Sequence, residues 1–215
     1  MAFVPSEQDL LIESASGPWC LGMFLDVAAD TGARRGEVLA LRRSDIVDGY
    51  ATIERSLTQT KEGVVFKSTK TERPRRVELP ASTLAKLEEH YKRLDEHRRE
   101  QGPAYRADLD LIFCNPDGTP LKPDSVSATV SSLCRRLGLP KGASLHVLRH
   151  SHASVLLANG VDLATVSERL GHSSVRVTAE IYSHAIRGRD REAADLWDQI
   201  KGREGATRQT ATGVN

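Results

Sequence analysis

Nowhere in these 215 residues does an apolar run approach the roughly 20 residues that a membrane helix needs. The opening segment, Met1-Ala2-Phe3-Val4-Pro5-Ser6-Glu7, has no basic stretch leading into an apolar core, so no signal peptide is expected. Cysteine is scarce, odd in number and scattered. Cys20, Cys114 and Cys134 suit neither a disulfide framework nor a CxxC metal site, and reduced, buried thiols in a cytoplasmic protein are expected. Charge of one sign is not in excess either: the balance is +1, so any affinity for nucleic acid has to come from a local patch. Also missing are a G-x-S-x-G elbow, a phosphate-cradling P-loop, a dinucleotide fingerprint and any internal repeat.

What is present is ordinary globular material, with 39% hydrophobic and 27% charged residues and length for one full core or two small ones. Ser6 is placed to cap a short helix through Ser14, ended by Gly17-Pro18. A second helix is expected from near Trp19 to Thr31-Gly32, burying Leu21, Phe24, Val27 and Ala28, and a third from Arg35 burying Val38, Leu39 and Leu41. After the Asp48-Gly49 turn, 50–57, 64–67 and 76–79 read as three strands of one small antiparallel sheet. Apolar residues at helical spacing predict a helix over 82–101, and Leu111-Ile112-Phe113 reads as a short buried strand. Asp124 is placed to cap a helix ending near Gly138. Residues 144–183 read as three helices split at Gly160 and Gly171-His172, and a last helix covers about 191–200. Beyond Gly202 the chain is polar and apolar-poor, and 203–215 is expected to be a disordered tail. The fold class is mainly α with a small antiparallel β-sheet, one domain over 1–202.

Charge is concentrated in one place. Between Lys61 and Arg76, Lys61, Lys67, Lys70, Arg73, Arg75 and Arg76 face only Glu62 and Glu72, a local balance of +4 that a solvated loop would also explain. Histidine is concentrated too, with five of the seven between His146 and His184. His146 and Arg149 are three apart and share a helix face, His172 follows a helix end, and Tyr182 lies ten residues further on. Singly, each has a bland reading as a structural histidine or an ordinary aromatic. His146 and His150 have the spacing of a helical zinc pair, yet position 147 is Val and no further ligand is well placed, so no metal is expected. Arg149-His150 is also the pair used by histidine phosphatases, but there it follows a strand and precedes Gly, whereas here Ser151 follows inside a helix.

The wording of four segments goes further. Thr31-Gly32-Ala33-Arg34-Arg35-Gly36-Glu37-Val38-Leu39-Ala40-Leu41 resembles the first arginine box of the tyrosine recombinase (phage integrase) family. His146-Val147-Leu148-Arg149-His150-Ser151-His152-Ala153 resembles its H-x-L-R-H box. Leu170-Gly171-His172-Ser173-Ser174 and Thr178-Ala179-Glu180-Ile181-Tyr182-Ser183-His184 resemble its L-G-H box and nucleophile segment. The order is the family's, and the similarity spans about Asp9 to Ala194. The family's hairpin lysine, in a pattern like K-T-x-x-x-R-x-V-x-L, fits Lys70 with Arg75, Val77 and Leu79, with Lys67 as second candidate.

The resemblance implies the catalytic domain of a DNA breaking-rejoining enzyme with Arg34, Lys70, His146, Arg149, His172 and Tyr182 as catalytic set. It implies that Tyr182 attacks a DNA phosphodiester to give a 3′-phosphotyrosine, with the arginines on the phosphate, Lys70 as general acid, His146 helping to move the tyrosine proton and His172 bonding the phosphate. Glu37 is expected to orient Arg34 or a neighbour. One phosphodiester is exchanged for another, so neither ATP, cofactor nor metal is expected. The implied partners are double-stranded DNA and, in the full-length protein, a homo-tetramer that passes through a Holliday junction. The isolated domain is expected to be monomeric, without a membrane, in the cytoplasm of a bacterial host and encoded by a phage or mobile element. The family's N-terminal core-binding and arm-binding domains are expected to be absent. A type IB topoisomerase-like enzyme or a cleavage-inactive DNA-binding regulator of the same fold are the alternatives. Without DNA, the hairpin around Lys70 is expected to be mobile and the Tyr182 hydroxyl to sit away from the arginine pair.

Overall fold

The computed structural model describes residues 2–15, 19–68, 74–186 and 190–211. Helix α1, Pro5–Ser14, starts with proline at its first position, where the missing N–H costs nothing. Its cap is Val4 and not Ser6: the Val4 N–H donates to the Glu7 carboxylate at 3.0 Å. Helix α2, Leu21–Thr31, buries Phe24, Leu25 and Val27 and ends at Gly32, which is left-handed at φ 62°. Helix α3, Arg35–Leu39, follows two residues later and buries Glu37, Val38 and Leu39.

The strands are β1 (Ile46–Val47), β2 (Tyr50–Ile53), β3 (Arg55–Thr60), β4 (Gly63–Ser68) and β5 (Arg75–Glu78). They form two antiparallel sheets, β1-β2-β5 and the hairpin β3-β4, where one sheet of three strands was expected. The segment read as one strand over 50–57 breaks at Glu54. Ala51, Ile53 and Leu57 are buried, so an unbroken strand would also turn Arg55 inward. The chain bends instead, and Arg55 pairs with both oxygens of Asp45 at 2.6 Å and with Glu54. The new register sets Ile53 opposite Arg75 and Ser56 opposite Lys67.

Helix α4, Ala81–Gln101, buries Leu87, His90 and Leu94. Leu111 to Cys114 is buried but holds only isolated bridges, Arg42 with Leu111 and Cys114 with Pro120. Helix α5, Pro123–Arg136, begins on proline with Lys122, not Asp124, as its cap. Then come α6 (Leu145–Ala158), α7 (Leu163–Leu170), α8 (Val175–Ile186) and α9 (Asp190–Ala211). Helix α9 runs past Gly202, into residues expected to be disordered. The stretch has no proline, and extending an existing helix avoids the cost of nucleating one.

The main core joins α2, α3, β2, β5, α5 and the first turns of α6 through Phe24, Leu39, Ile53, Val77, Val130 and Leu148. A second cluster, Ala153, Leu157, Val166, Leu170 and Tyr182, binds α6, α7 and α8 together. Each of its buried leucines and its valine contributes about 1.5–3 kcal/mol on burial. The three cysteines are free and buried, and burial pushes Cys20 up to about 12 and Cys114 to about 11. No helix among the described residues is long and apolar enough to cross a membrane.

Candidate active site

The turn after α2 and the start of α6 are far apart in sequence and joined in space. The Arg149 Nη1–H donates to the Gly32 carbonyl at 2.7 Å. Position 32 needs glycine twice over, for its positive φ and because a Cβ would lie 2.8 Å from His152 and from Leu170. This close approach lets α6 dock beside the turn, and one cleft is then lined by Arg34, Ser56, Ser127, Ser144, His146 and Arg149.

Arg34 caps α3 in extended conformation, so its side chain leaves the helix and stays 42% exposed at the cleft. Its backbone N–H and its Nη1 both donate to Glu37, at 2.8 and 3.2 Å. Arg149 is only 5% exposed; burial, and then the neighbouring Arg34, lower its pKa to about 10, which leaves it protonated at neutral pH. His146 is pushed down by burial and then by Arg149 and Arg34. The His150 ring stands edge-on to His146 with centroids 4.6 Å apart.

His172 arrives from the other side, after α7 stops at left-handed Gly171. Its Nδ1 shares a 2.7 Å hydrogen bond with the hydroxyl of buried Thr178. Burial first, then Arg149, Arg34, Arg75 and His150, lower its pKa to about 4, so the ring is neutral at pH 7. Tyr182 interrupts α8 with φ −110° and ψ 17°. It is 2% exposed, packed in the second core cluster with its ring 5.6 Å from that of His150. Burial raises its pKa, and Arg149 opposes that rise.

Arg34, His146 and Arg149 thus share the cleft wall, His172 lies within the field of both arginines, and Tyr182 is held next door. Lys70 lies outside the described residues, as does the expectation about its hairpin. Lys67 is exposed on β4, opposite the cleft residue Ser56.

Arg75, one of the six cations of the basic run, is not a solvated charge. It is 7% exposed, with Nη1 and Nη2 donating to the two Glu37 oxygens at 3.2 and 2.6 Å and Nε to the Arg169 carbonyl at 2.9 Å. The signal was in the sequence: Arg75, Val77 and Leu79 alternate, so all three face inward. Arg76, on the other face, lies over the Tyr50 ring at 4.5 Å. Glu37 therefore holds Arg34, three residues before it, and also Arg75 from a distant strand.

A cleft with two guanidiniums on one wall, neutral imidazoles beside them and a phenol on the adjoining helix suits an anion that a hydroxyl can attack. Comparison with known proteins agrees in kind. The Phage integrase family matches residues 8–188. The "Tyrosine recombinase XerC-like" protein of Caldanaerobacter subterraneus subsp. tengcongensis is 30% identical over 209 residues, covering 86% of this chain and 50% of that protein. The "ICEBs1 integrase" of Bacillus subtilis is 34% identical over 180 residues, 82% of this chain and 48% of the integrase. A crystal structure of the XerH site-specific recombinase bound to palindromic difH substrate, a post-cleavage complex, superposes with a TM-score of 0.64 at 27% identity, covering 92% of this chain and 53% of that one. The chain spans about half the length of the curated relatives it matches.

Proposed function

Because this chain belongs to the phage integrase family of tyrosine recombinases, we propose that it cuts and rejoins double-stranded DNA as a site-specific recombinase, with Tyr182 as nucleophile. The observation that carries this reading is the meeting of Arg34, His146 and Arg149 on one cleft beside the helix that holds Tyr182.

In the proposed reaction the Tyr182 oxygen attacks the phosphorus, the bond to the 5′ oxygen breaks, and a 3′-phosphotyrosine forms. Arg34 and Arg149 grip the non-bridging oxygens and stabilise the charge of the five-coordinate transition state. His146, its pKa lowered by burial and then by Arg149 and Arg34, accepts the tyrosine proton. When the Thr178 hydroxyl donates to Nδ1 of His172, its Nε2–H is left to donate to the phosphate. Lys70 protonates the departing 5′ oxygen. Attack by a 5′ hydroxyl on the phosphotyrosine reverses these steps, so the bond energy is conserved.

The exposed Leu196, Trp197 and Ile200 of α9 support assembly with further copies in the full-length protein, where a tetramer would carry the strand exchange. The expected compartment is the cytoplasm of a bacterial host. The test is incubation with a nicked suicide duplex, where a covalent protein–DNA adduct mapping to Tyr182 is expected. A competent substrate set that yields no adduct would overturn the reading.

A further inference from the structure

Five residues downstream of Lys70, strand β5 sends one side chain into the seam between the segments that carry the cleft cations and the one that carries His172. That side chain is Arg75. Its guanidinium grips both oxygens of Glu37, whose carboxylate also accepts from the Arg34 backbone and side chain. Its Nε–H donates to the carbonyl of Arg169 in the last turn of α7. The plane of the same guanidinium passes under Gly171: a Cβ there would stand 2.6 Å from Nη1, 2.8 Å from Cζ and 3.1 Å from Nε. Position 171 is glycine so that the backbone can lie against Arg75, and the next residue is His172.

We propose that Arg75 is a positioning residue that locks Arg34, through Glu37, and His172, through the Arg169–Gly171 backbone, into one fixed spacing around the phosphate. The inference rests on the recombinase reading for what the spacing serves. The planar fork is essential, because three separate contacts are served from one group: a carboxylate in its plane, a carbonyl at Nε and a backbone against its face. A lysine ammonium at position 75 can meet the charge of Glu37 but has no plane to place under Gly171 and no second direction fixed towards Arg169. Nothing in this role requires Arg75 to touch DNA, since it is sealed beneath the cleft wall.

The test compares single-turnover adduct formation at saturating suicide duplex in the wild-type chain and in Arg75→Lys. A displacement of about 1 Å in a reacting group can cost on the order of 10²-fold, and a loss of that size in rate is expected with DNA affinity changed less than about threefold. A folded Arg75→Lys protein that cleaves at the wild-type rate overturns the proposal. So does a variant whose defect is all in affinity, with a flattened salt dependence, since that marks a phosphate contact. Should Arg75→Lys fail to fold, the paired change Arg75→Met with Glu37→Leu removes both buried charges together and leaves neither ion stranded. It is expected to fold and to cleave as slowly, and wild-type cleavage by it overturns the proposal.

A second readout needs no DNA. His172 faces Arg149, Arg34, Arg75 and His150, so removing the Arg75 charge in the paired Arg75→Met, Glu37→Leu variant should raise the His172 midpoint from about 4, as followed by NMR of the imidazole. An unmoved midpoint overturns the placement of Arg75 at this histidine. If instead the wild-type chain forms no adduct on a competent substrate while the midpoint moves as expected, the recombinase reading fails and the placement stands.

Discussion

The wall of the cleft and the helix that carries Tyr182 are built on opposite plans. On the wall, ionic groups are tied by directional bonds: Glu37 is 2% exposed and shared between Arg34 and Arg75, while buried Arg149 is tied to the Gly32 carbonyl. Around Tyr182 the packing is apolar, the helix breaks at the tyrosine itself, and the chain soon passes into α9 with Leu196, Trp197 and Ile200 facing solvent. The difference teaches that the cleft wall is fixed by directional bonds, whereas Tyr182, the proposed nucleophile, is held by non-directional contacts that a small shift of α8 can exchange.

The largest effect should come from the nucleophile. Tyr182→Phe keeps the packing and removes only the oxygen, so adducts should vanish from denaturing gels while DNA binding by mobility shift stays near wild type. Adducts formed by Tyr182→Phe would break the division of labour outright. Next comes the wall: Arg149→Ala should slow single-turnover cleavage by about 10²–10³-fold, the usual cost of one transition-state donor. It should also lower the slope of affinity against salt by about one phosphate contact. An unchanged slope would mean that Arg149 serves the fold alone.

A smaller effect links wall and helix through His152, which sits against Gly32 and receives the Arg169 Nε–H at 3.3 Å. Burial, then Arg169, hold its pKa at about 4, below the unfolded value of 6.5. A histidine depressed in this way stabilises the fold above pH 6.5, and that contribution disappears as pH falls from 6.5 through 4, by about 3 kcal/mol for a gap of this size. Urea midpoints at pH 7 and pH 4.5 should therefore differ less in His152→Gln than in wild type. An equal difference would remove His152 from the account. The smallest effect belongs to α9: Leu196→Ala or Trp197→Ala should change the stability of the isolated chain by less than about 0.5 kcal/mol, as read by urea unfolding. A larger loss would show that α9 packs on its own chain.

Helix positions were legible because their stops are local chemistry: Gly32, Gly102, Gly160 and Gly171 all have positive φ at or just beyond helix ends. The cleft residues were legible as well, through the wording of their segments and not through spacing, since Arg34 and Arg149 are brought together by a close approach at Gly32 that no local pattern encodes. Strand pairing was read less well. The inward side of 50–57 includes Arg55, and only the presence of Asp45 decides that the chain bends there. Arg75 was misplaced because a count of charges treats each arginine alike, while the alternation with Val77 and Leu79 had already turned this one inward. The extent of α9 was missed because low apolar content argues against packing, and a helix can continue without being packed.

The three cysteines have a practical consequence. With its pKa pushed to about 12, Cys20 is thiolate in only about one molecule in 10⁵ at pH 7, and Cys114 and Cys134 are likewise buried and raised. The native chain is thus close to silent towards maleimides and iodoacetamides. A single Ala194→Cys on the exposed start of α9 would be the one fast-reacting thiol in the molecule, and a fluorophore placed there could follow where that helix goes when DNA or another copy arrives, with no native cysteine removed.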